Sequence, residues 1–140
     1  MRRLFFAGFP GGTTGLGLLL VRLATGAAFI MHGLPKIQNP TGWMPGGAVP
    51  GYLQLAAAVA EFGGGIALIV GLLTPVATLL LIGTMCVAIF QYHIPQGHPF
   101  VAVGKPSFEL ALAYLANSLL LLLAGPGKLS LDALFFGRGR

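Results

Sequence analysis

The sequence predicts an all-α, polytopic membrane protein, folded as a bundle of four transmembrane helices. Of its 140 residues, 56% are hydrophobic and only 8% are charged, and the mean hydropathy is +0.87, which lies outside the range of soluble globular proteins. Apolar runs close to the roughly 20 residues that cross a bilayer core occur four times. Prolines cluster between these runs, whereas nine of the 22 glycines lie inside them, where close helix packing uses them. We treat residues 1–140 as a single domain.

The four predicted spans cover residues 14–33, 52–72, 75–92 and 107–124. Pro75 suits the first turn of the third helix because its missing N–H would have no partner there. Residues 71–75 are therefore predicted to form a tight hairpin between the second and third helices. Trp43, in the first long loop, is expected to anchor at the membrane interface. Ser130 and Asp132 are expected to cap or position a short interfacial segment that ends at Phe136.

Charge asymmetry predicts the orientation in the membrane. An even number of spans places both termini on one side, together with the hairpin at residues 71–75. Basic residues outside the spans divide five to two, with Arg2, Arg3, Lys128, Arg138 and Arg140 on that side and Lys36 and Lys105 on the other. The positive-inside rule then places both termini in the cytoplasm. The basic residues are scattered and are not interleaved with aromatic residues, so the expected partner is the lipid bilayer and not nucleic acid.

Two predicted spans carry an ionisable residue near mid-depth. With about 1.5 Å of rise per residue, Arg22 lies about 16 Å below the outer end of the first span, Glu61 about 14 Å down the second, and Asn117 about 15 Å down the fourth. A lone charge at the bilayer centre costs about 2.5 to 3.5 kcal/mol, and such residues usually have a partner. We therefore predict an ion pair between Arg22 and Glu61, with Asn117 within reach, in a polar column inside the bundle.

A second group of polar side chains is predicted at the outer helix ends. Each of its members lies within about one turn of an outer end. The group comprises His32, Lys36, Tyr92, His93 and Glu109. Glu109 also has a purely structural explanation, because a carboxylate in the first turn of a helix interacts favourably with the helix dipole.

The sequence gives no sign of a metal or of a bound redox group. Cys86 is the only cysteine, which excludes an internal disulfide or dithiol pair, and it is expected to be an unreactive core residue. His93 and His98 are separated by Pro95 and Gly97 and lack the i, i+4 helical spacing of a zinc pair. We therefore expect no metal and no covalently bound cofactor. Haem is disfavoured because no ligation motif is present, and flavin and nicotinamide fingerprints are missing.

Four segments together resemble the DoxX family: RLATGAAFIMHGLPK at residues 22–36, EFGGG at 61–65, GLLTP at 71–75 and GPGKLSLD at 125–132. The resemblance covers nearly the whole chain. It implies a small four-helix protein of the plasma (inner) membrane of a prokaryote, related to the DoxD subunit of thiosulfate:quinone oxidoreductase and to proteins linked with thiol and oxidative-stress systems. The chain departs from the family pattern at Pro75, where a basic residue is frequent, which weakens any anion-binding role of the hairpin.

Three functions are compatible with the sequence. The first is a quinone-linked or redox-associated subunit, in which Arg22 donates a hydrogen bond to a quinone carbonyl and Glu61 accepts or releases a proton. The second is a non-catalytic accessory or scaffold subunit, in which the buried charges only fix helix register. The third, a small channel or transporter, is the weakest because the chain shows no inverted repeat. Each function implies membrane or redox partner subunits, or further copies of the chain, and whether the protein is itself an enzyme stays open.

Overall fold

The computed structural model describes residues 8–44, 46 and 49–137. This part of the chain contains five α-helices and no strand: α1 (Gly12–Gln38), α2 (Gly51–Val70), α3 (Thr74–Val87), α4 (Glu109–Ala124) and α5 (Leu131–Phe136). A π-helical segment, Ala88–His93, continues α3 without a break. Helices α1 and α2 and the combined helix Thr74–His93 are each long and apolar enough to cross a membrane. With the shorter apolar helix α4 of 16 residues, they form the predicted all-helical, multi-pass membrane bundle.

The first helix is longer than its predicted span. The apolar run predicted this span over residues 14–33. In the structure, α1 continues through Pro35 and ends at Gln38. Proline inside a helix removes the hydrogen bond that its own N–H would make and crowds the carbonyl four residues earlier, and here both effects fall in the last two turns. The extension adds about 7.5 Å to the helix and brings Lys36 into it.

The predicted hairpin between the second and third helices is confirmed. Gly71 ends α2 in the left-handed region with φ +67°, and Leu72 N–H donates back to Ala67 O at 3.0 Å, which is the Schellman arrangement that glycine favours. Pro75 lies in the first turn of α3, as predicted. Helix α3 begins after Leu73, whose side chain cannot cap it.

Close contact between backbones joins α1 to α2. A Cβ added to Gly65 would lie 2.7 Å from Gly26 O, and one added to Gly26 would lie 2.7 Å from Gly65 O. Small residues allow membrane helices to approach this closely. Of the glycines predicted to mediate such contact, Gly64 packs against Leu81, whereas Gly63 faces open space.

The short C-terminal helix α5 closes the hairpin end of the bundle. Ser130 is its N-cap and accepts a hydrogen bond from Ala133 N, as the sequence predicted. Asp132 is fully buried, and its carboxylate oxygens accept hydrogen bonds from Leu73 N at 2.7 Å and Thr74 N at 2.8 Å. The backbone donors at the start of α3, which no neighbouring side chain caps, are thus satisfied by a residue from the end of the chain.

The inward face of the fourth helix differs from the predicted one. Helical spacing in the sequence predicts that Glu109, Ala113 and Asn117 share an inward face, but in the structure Glu109 and Ala113 are exposed and Asn117 is only half-buried. The buried residues of α4 are instead Ala111, Ser118 and Leu121. A shift of one residue turns a helix by about 100°. In a helix this apolar, hydropathy does not distinguish the side that meets lipid from the side that meets other helices.

Most of the charges that predicted the orientation lie outside the described residues, namely Arg2, Arg3, Arg138 and Arg140. Lys128 is described and packs against Gly11 at the hairpin end of the bundle. Of the two cations at the opposite end, Lys105 is exposed and Lys36 is held in an ion pair.

Candidate functional site

A buried ion pair connects the last turn of α1 to the middle of α2. Lys36 Nζ donates to both carboxylate oxygens of Glu61, at 2.6 Å and 2.7 Å. The Glu61 side chain is only 3% exposed and that of Lys36 is 25% exposed. The ammonium also lies 4.6 Å from the centre of the Trp43 ring, a distance at which a cation is attracted to the aromatic face.

The loop that carries Trp43 is fixed to α2 by one buried amide. Gln54 is 3% exposed. Its side-chain oxygen accepts from Met44 N at 2.9 Å, and its amide nitrogen donates to Val49 O at 2.8 Å. Trp43 Nε1 donates to the Gln54 carbonyl at 3.0 Å. These bonds hold the tryptophan ring against the Lys36 ammonium.

The pair lies in a cleft of about 250 Å³ between the helices. Its walls combine apolar side chains with a few polar groups from every long helix of the bundle. The lining residues are Phe29, His32, Lys36, Glu61, Met85, Ala88, His93, Ser107, Leu110, Ala111 and Tyr114. The Tyr114 ring packs on Phe29 with 5.0 Å between centroids and on His32 with 5.9 Å. Apolar walls with a small number of convergent polar groups are the usual composition of a small-molecule site.

The outer cluster predicted from the sequence is brought together in part. His32, Lys36 and His93 all line the cleft. Tyr92 is exposed and contacts the His93 ring edge-on at 5.1 Å. Glu109 is exposed at the first turn of α4 and lies outside the cleft lining. A carboxylate at this position interacts favourably with the helix dipole.

The predicted ion pair between Arg22 and Glu61 is wrong. Arg22 is 1% exposed and lies at the opposite end of the bundle, where it donates to Leu129 O and interacts electrostatically with Asp132. The prediction failed because α1 ends at Gln38 and not at Gly33. Counted from Gln38, Arg22 is about 24 Å down α1, whereas Glu61 is about 15 Å down α2.

Asn117 occupies a third polar level between the two charged ones. Its amide donates to Thr25 Oγ1 at 3.2 Å, and Thr25 is buried on α1 one turn beyond Arg22. Phe29, which is 1% exposed, separates this level from the cleft on the same face of α1. The predicted polar column is therefore three separate clusters with an apolar barrier below the cleft.

The sequence did not predict Tyr114 in the cleft, and it placed Asp132 at the C-terminal segment without its contact with α3. Tyr114 lies on the cleft wall and Asp132 caps α3. No local signal marked the contact of Asp132 with α3, because the predicted span begins at Pro75 and is preceded by Thr74, itself a suitable N-cap residue. The structure instead starts α3 after Leu73, which has no capping side chain. No signal marked Tyr114 either, since its position depends on the rotation of α4.

Fold and cleft together define a small multi-pass helical membrane protein with an ion pair on the wall of a cleft between its helices. The chain belongs to the DoxX family, whose family model matches residues 17–94. That match contains Lys36, Glu61 and His93 but ends before α4. No solved structure matches the chain.

Curated relatives extend the similarity over most of the chain. It is 31% identical over 122 residues to "Inner membrane protein YqjF" of Escherichia coli, covering 85% of this chain and 92% of that protein. It is 32% identical over 124 residues to "Putative oxidoreductase CatD" of Bacillus subtilis, covering 86% and 88%. An uncharacterized protein of Haemophilus influenzae is 35% identical over 122 residues, covering 85% and 90%.

Proposed function

We propose that this protein is a quinone-linked, redox-associated membrane subunit that binds the ring of a quinone in the cleft beside Lys36 and Glu61. The observation that carries the proposal is the two-pronged contact of Lys36 Nζ with both oxygens of the buried Glu61 carboxylate. Intramembrane ionisable groups mark ligand and proton sites by default. The name of the Bacillus relative, a putative oxidoreductase, supports redox chemistry in the same direction.

The size and chemistry of the cleft fit a ring and not a whole prenylated molecule. Pockets for drug-sized ligands have about 300 to 1,000 Å³, and this one has about 250 Å³. A quinone ring is flat, apolar on its faces and polar only at its carbonyl oxygens. Phe29, Met85 and Leu110 supply apolar walls for its faces, and a hydrocarbon tail would remain in the surrounding lipid.

The ion pair has spare capacity for a ligand carbonyl. An ammonium group has three N–H donors, of which Glu61 uses two. The third donor of Lys36 is available to a carbonyl oxygen in the cleft. Quinone reduction takes up protons with its electrons, and in this site Glu61, His32 and His93 are the groups able to hold or transfer a proton.

Electrons must come from a partner protein under this proposal. The sequence has a single cysteine and contains no flavin or nicotinamide fingerprint. The expected partner is therefore a membrane or soluble redox subunit that carries its own cofactor, and the chain described here supplies the quinone site.

The membrane placement belongs to the same proposal. We take α4 as the fourth span and both termini as cytoplasmic, in the plasma (inner) membrane of a prokaryote. The ion pair of Lys36 leaves Lys105 as the unpaired cation at the cleft end among the described residues, which sharpens the charge asymmetry. The cleft then lies near the external face. C-terminal fusions to a fluorescent protein should be active and fusions to alkaline phosphatase inactive; the reverse would refute this orientation.

Binding can be measured with the protein's own fluorescence. Trp43 is the only tryptophan and lies beside Lys36, so a quinone in the cleft should quench it. Decyl-ubiquinone titrated into the protein in lipid nanodiscs should quench saturably. Lys36→Met should weaken binding by roughly 10- to 100-fold, the effect of losing a hydrogen bond from a charged donor. The midpoint is the readout, because the substitution also changes the surroundings of Trp43.

Matched controls come from the exposed charges. Lys105→Met and Glu109→Gln remove a lysine and a carboxylate that lie outside the cleft, and both should bind as the wild type does. Quenching without saturation, or the same midpoint in Lys36→Met and wild type, would refute the proposal.

A scaffold function is the second candidate, and one observation favours it. The contact of Lys36 with Glu61 joins the consecutive helices α1 and α2, and the contact of Asp132 with Thr74 joins α5 to α3. If these contacts only hold the bundle together, Glu61→Gln should impair assembly with partner subunits and leave no quinone-dependent property to lose. Intact assembly with lost quinone binding would instead support the quinone site.

A further inference from the structure

Two histidines face each other at the outer end of the third span. His93 is the last residue of the π-helical segment Ala88–His93, and His98 follows it after a turn. Their Nδ1 atoms are 3.0 Å apart, and both rings are half-buried although residues 94–97 between them are exposed. The sequence argued against a histidine pair here because Pro95 and Gly97 prevent helical spacing, but the turn achieves the approach by another route.

The backbone fixes this approach. His98 N–H donates to His93 O at 3.1 Å and Ile94 N–H to Ile89 O at 2.9 Å. Gly97 takes φ +68°, a conformation that glycine adopts without strain. The Tyr92 ring packs against both imidazoles, with centroids 5.1 Å and 5.8 Å away. The two nitrogens are therefore held in place before any ligand arrives.

We propose that His93 and His98 form a binding site for a divalent transition metal of the copper and nickel class, at the rim of the cleft. With metal–nitrogen bonds of about 2.0 to 2.1 Å, nitrogens 3.0 Å apart subtend roughly 90 to 97° at a shared metal. That is the cis angle of square-planar or tetragonal Cu(II) and Ni(II). A tetrahedral zinc site would require about 3.3 Å between the two nitrogens.

Metal binding requires only a change of tautomer in the histidine pair. Both imidazoles are ligands when each carries its proton on Nε2 and offers the Nδ1 lone pair. A neutral pair joined by one Nδ1–H···Nδ1 hydrogen bond reaches this state by moving one proton between the nitrogens of a single ring, with no net proton release. The described residues contain no group of three or more His, Cys, Asp or Glu side chains placed to hold a metal, so water would complete the coordination from the exposed side of the turn.

This site does not depend on the proposed quinone function, although His93 belongs to both the pair and the cleft lining. A cation bound there would lie at the cleft entrance. Metal binding and quinone binding are measured separately, so either can fail alone.

The test is a titration of Cu(II) alone, and then Zn(II) alone, into chelator-washed protein in nanodiscs. The protein carries a purification tag without histidine and the Cys86→Ser substitution, which removes the only thiol. We expect one Cu(II) per chain, bound more tightly than Zn(II), with an electron paramagnetic resonance spectrum that shows coupling to two nitrogens. His93→Asn and His98→Asn should each weaken binding at least about tenfold, since even the loss of an outer partner of a ligand costs 10- to 100-fold.

His32→Asn is the matched control, because it removes the third histidine and leaves the pair intact. Its Cu(II) affinity should equal that of the parent. No stoichiometric binding, coupling to fewer than two nitrogens, Zn(II) bound as tightly as Cu(II), or an equal loss with His32→Asn would each overturn the assignment. The spectrum of the parent protein decides even if a histidine variant fails to fold.

Discussion

Lys36 and Glu61 bind each other through two short contacts, of 2.6 Å and 2.7 Å, across the interface of α1 and α2. The relationship joins the last turn of one helix to the middle of the next, and it places a charged pair on the wall of a cleft. Because the Glu61 carboxylate is almost fully buried, its negative charge is stabilised by Lys36 and not by water. The pair is thus both a structural contact and the proposed ligand contact, and variants must separate the two roles.

The first prediction concerns the pair itself. Lys36→Met should lower the stability of the protein by about 3 kcal/mol, because removing one partner of a buried pair leaves an uncompensated charge. Glu61→Gln should cost less, since the lysine is partly exposed and can reach water. The double variant Lys36→Met, Glu61→Leu should recover most of the loss. The stability of all three variants can be measured by thermal unfolding, with dye labelling of Cys86 as the signal. A double variant as unstable as Lys36→Met would contradict this account.

The second prediction concerns Asp132. Replacing it with alanine removes both hydrogen bonds to the start of α3 and the carboxylate near buried Arg22. Loss of an N-cap alone costs about 0.5 to 2 kcal/mol, and the unbalanced guanidinium should raise the total above that range. Glu109→Gln, at the exposed start of α4, serves as the control. An unfolding temperature equal to that of the control would show that α5 does not stabilise the hairpin.

The third prediction concerns helix contact. Gly65→Ala should destabilise the protein by about 1 to 3 kcal/mol through overpacking, because its Cβ would meet Gly26 O at 2.7 Å. Gly63→Ala is two residues away on the same helix and meets nothing within 4 Å, so it should be neutral. Both are measured by thermal unfolding in one detergent. Equal effects of the two substitutions would be incompatible with the packing described.

The fourth prediction separates the middle polar level from the cleft. Asn117→Leu removes one hydrogen bond, to Thr25, and such bonds between membrane helices average about 0.6 kcal/mol. We therefore expect a small loss of stability and unchanged decyl-ubiquinone binding. Thr25→Val should give a similar loss, and combining the two should add little. A strong effect of Asn117→Leu on quinone binding would place the site deeper than the cleft.

The sequence predicted the helices and the hairpin well because their signals are local. Pro75, the glycine at 71 and the apolar runs act within a few residues, and the structure confirms them. The predicted depth of Arg22 relative to Glu61 was wrong because it depends on where α1 ends, and the helix ends at Gln38, five residues beyond the predicted span. One missed turn was enough to exchange the partners of both charged residues.

Helix rotation and long-range contacts could not be predicted from the sequence for a different reason. In a membrane helix the lipid-facing side is as apolar as the packed side, so Tyr114 and Ala111 could not be assigned to the interior. The contact of Asp132 with Thr74 spans 58 residues and requires knowing how the chain folds back. The approach of His93 to His98 depends on one turn conformation that no helical periodicity describes.

The most direct test of the central claim is to locate a bound quinone on the chain. A short-chain azidoquinone, photolysed with the protein in nanodiscs and mapped by peptide mass spectrometry, should label the cleft walls, in residues 29–36 of α1 and 107–114 at the start of α4. Excess decyl-ubiquinone should suppress that labelling, and Lys36→Met should reduce it. Labelling confined to the lipid-facing side chains, or concentrated around Arg22 and α5, would contradict a quinone site at Lys36 and Glu61.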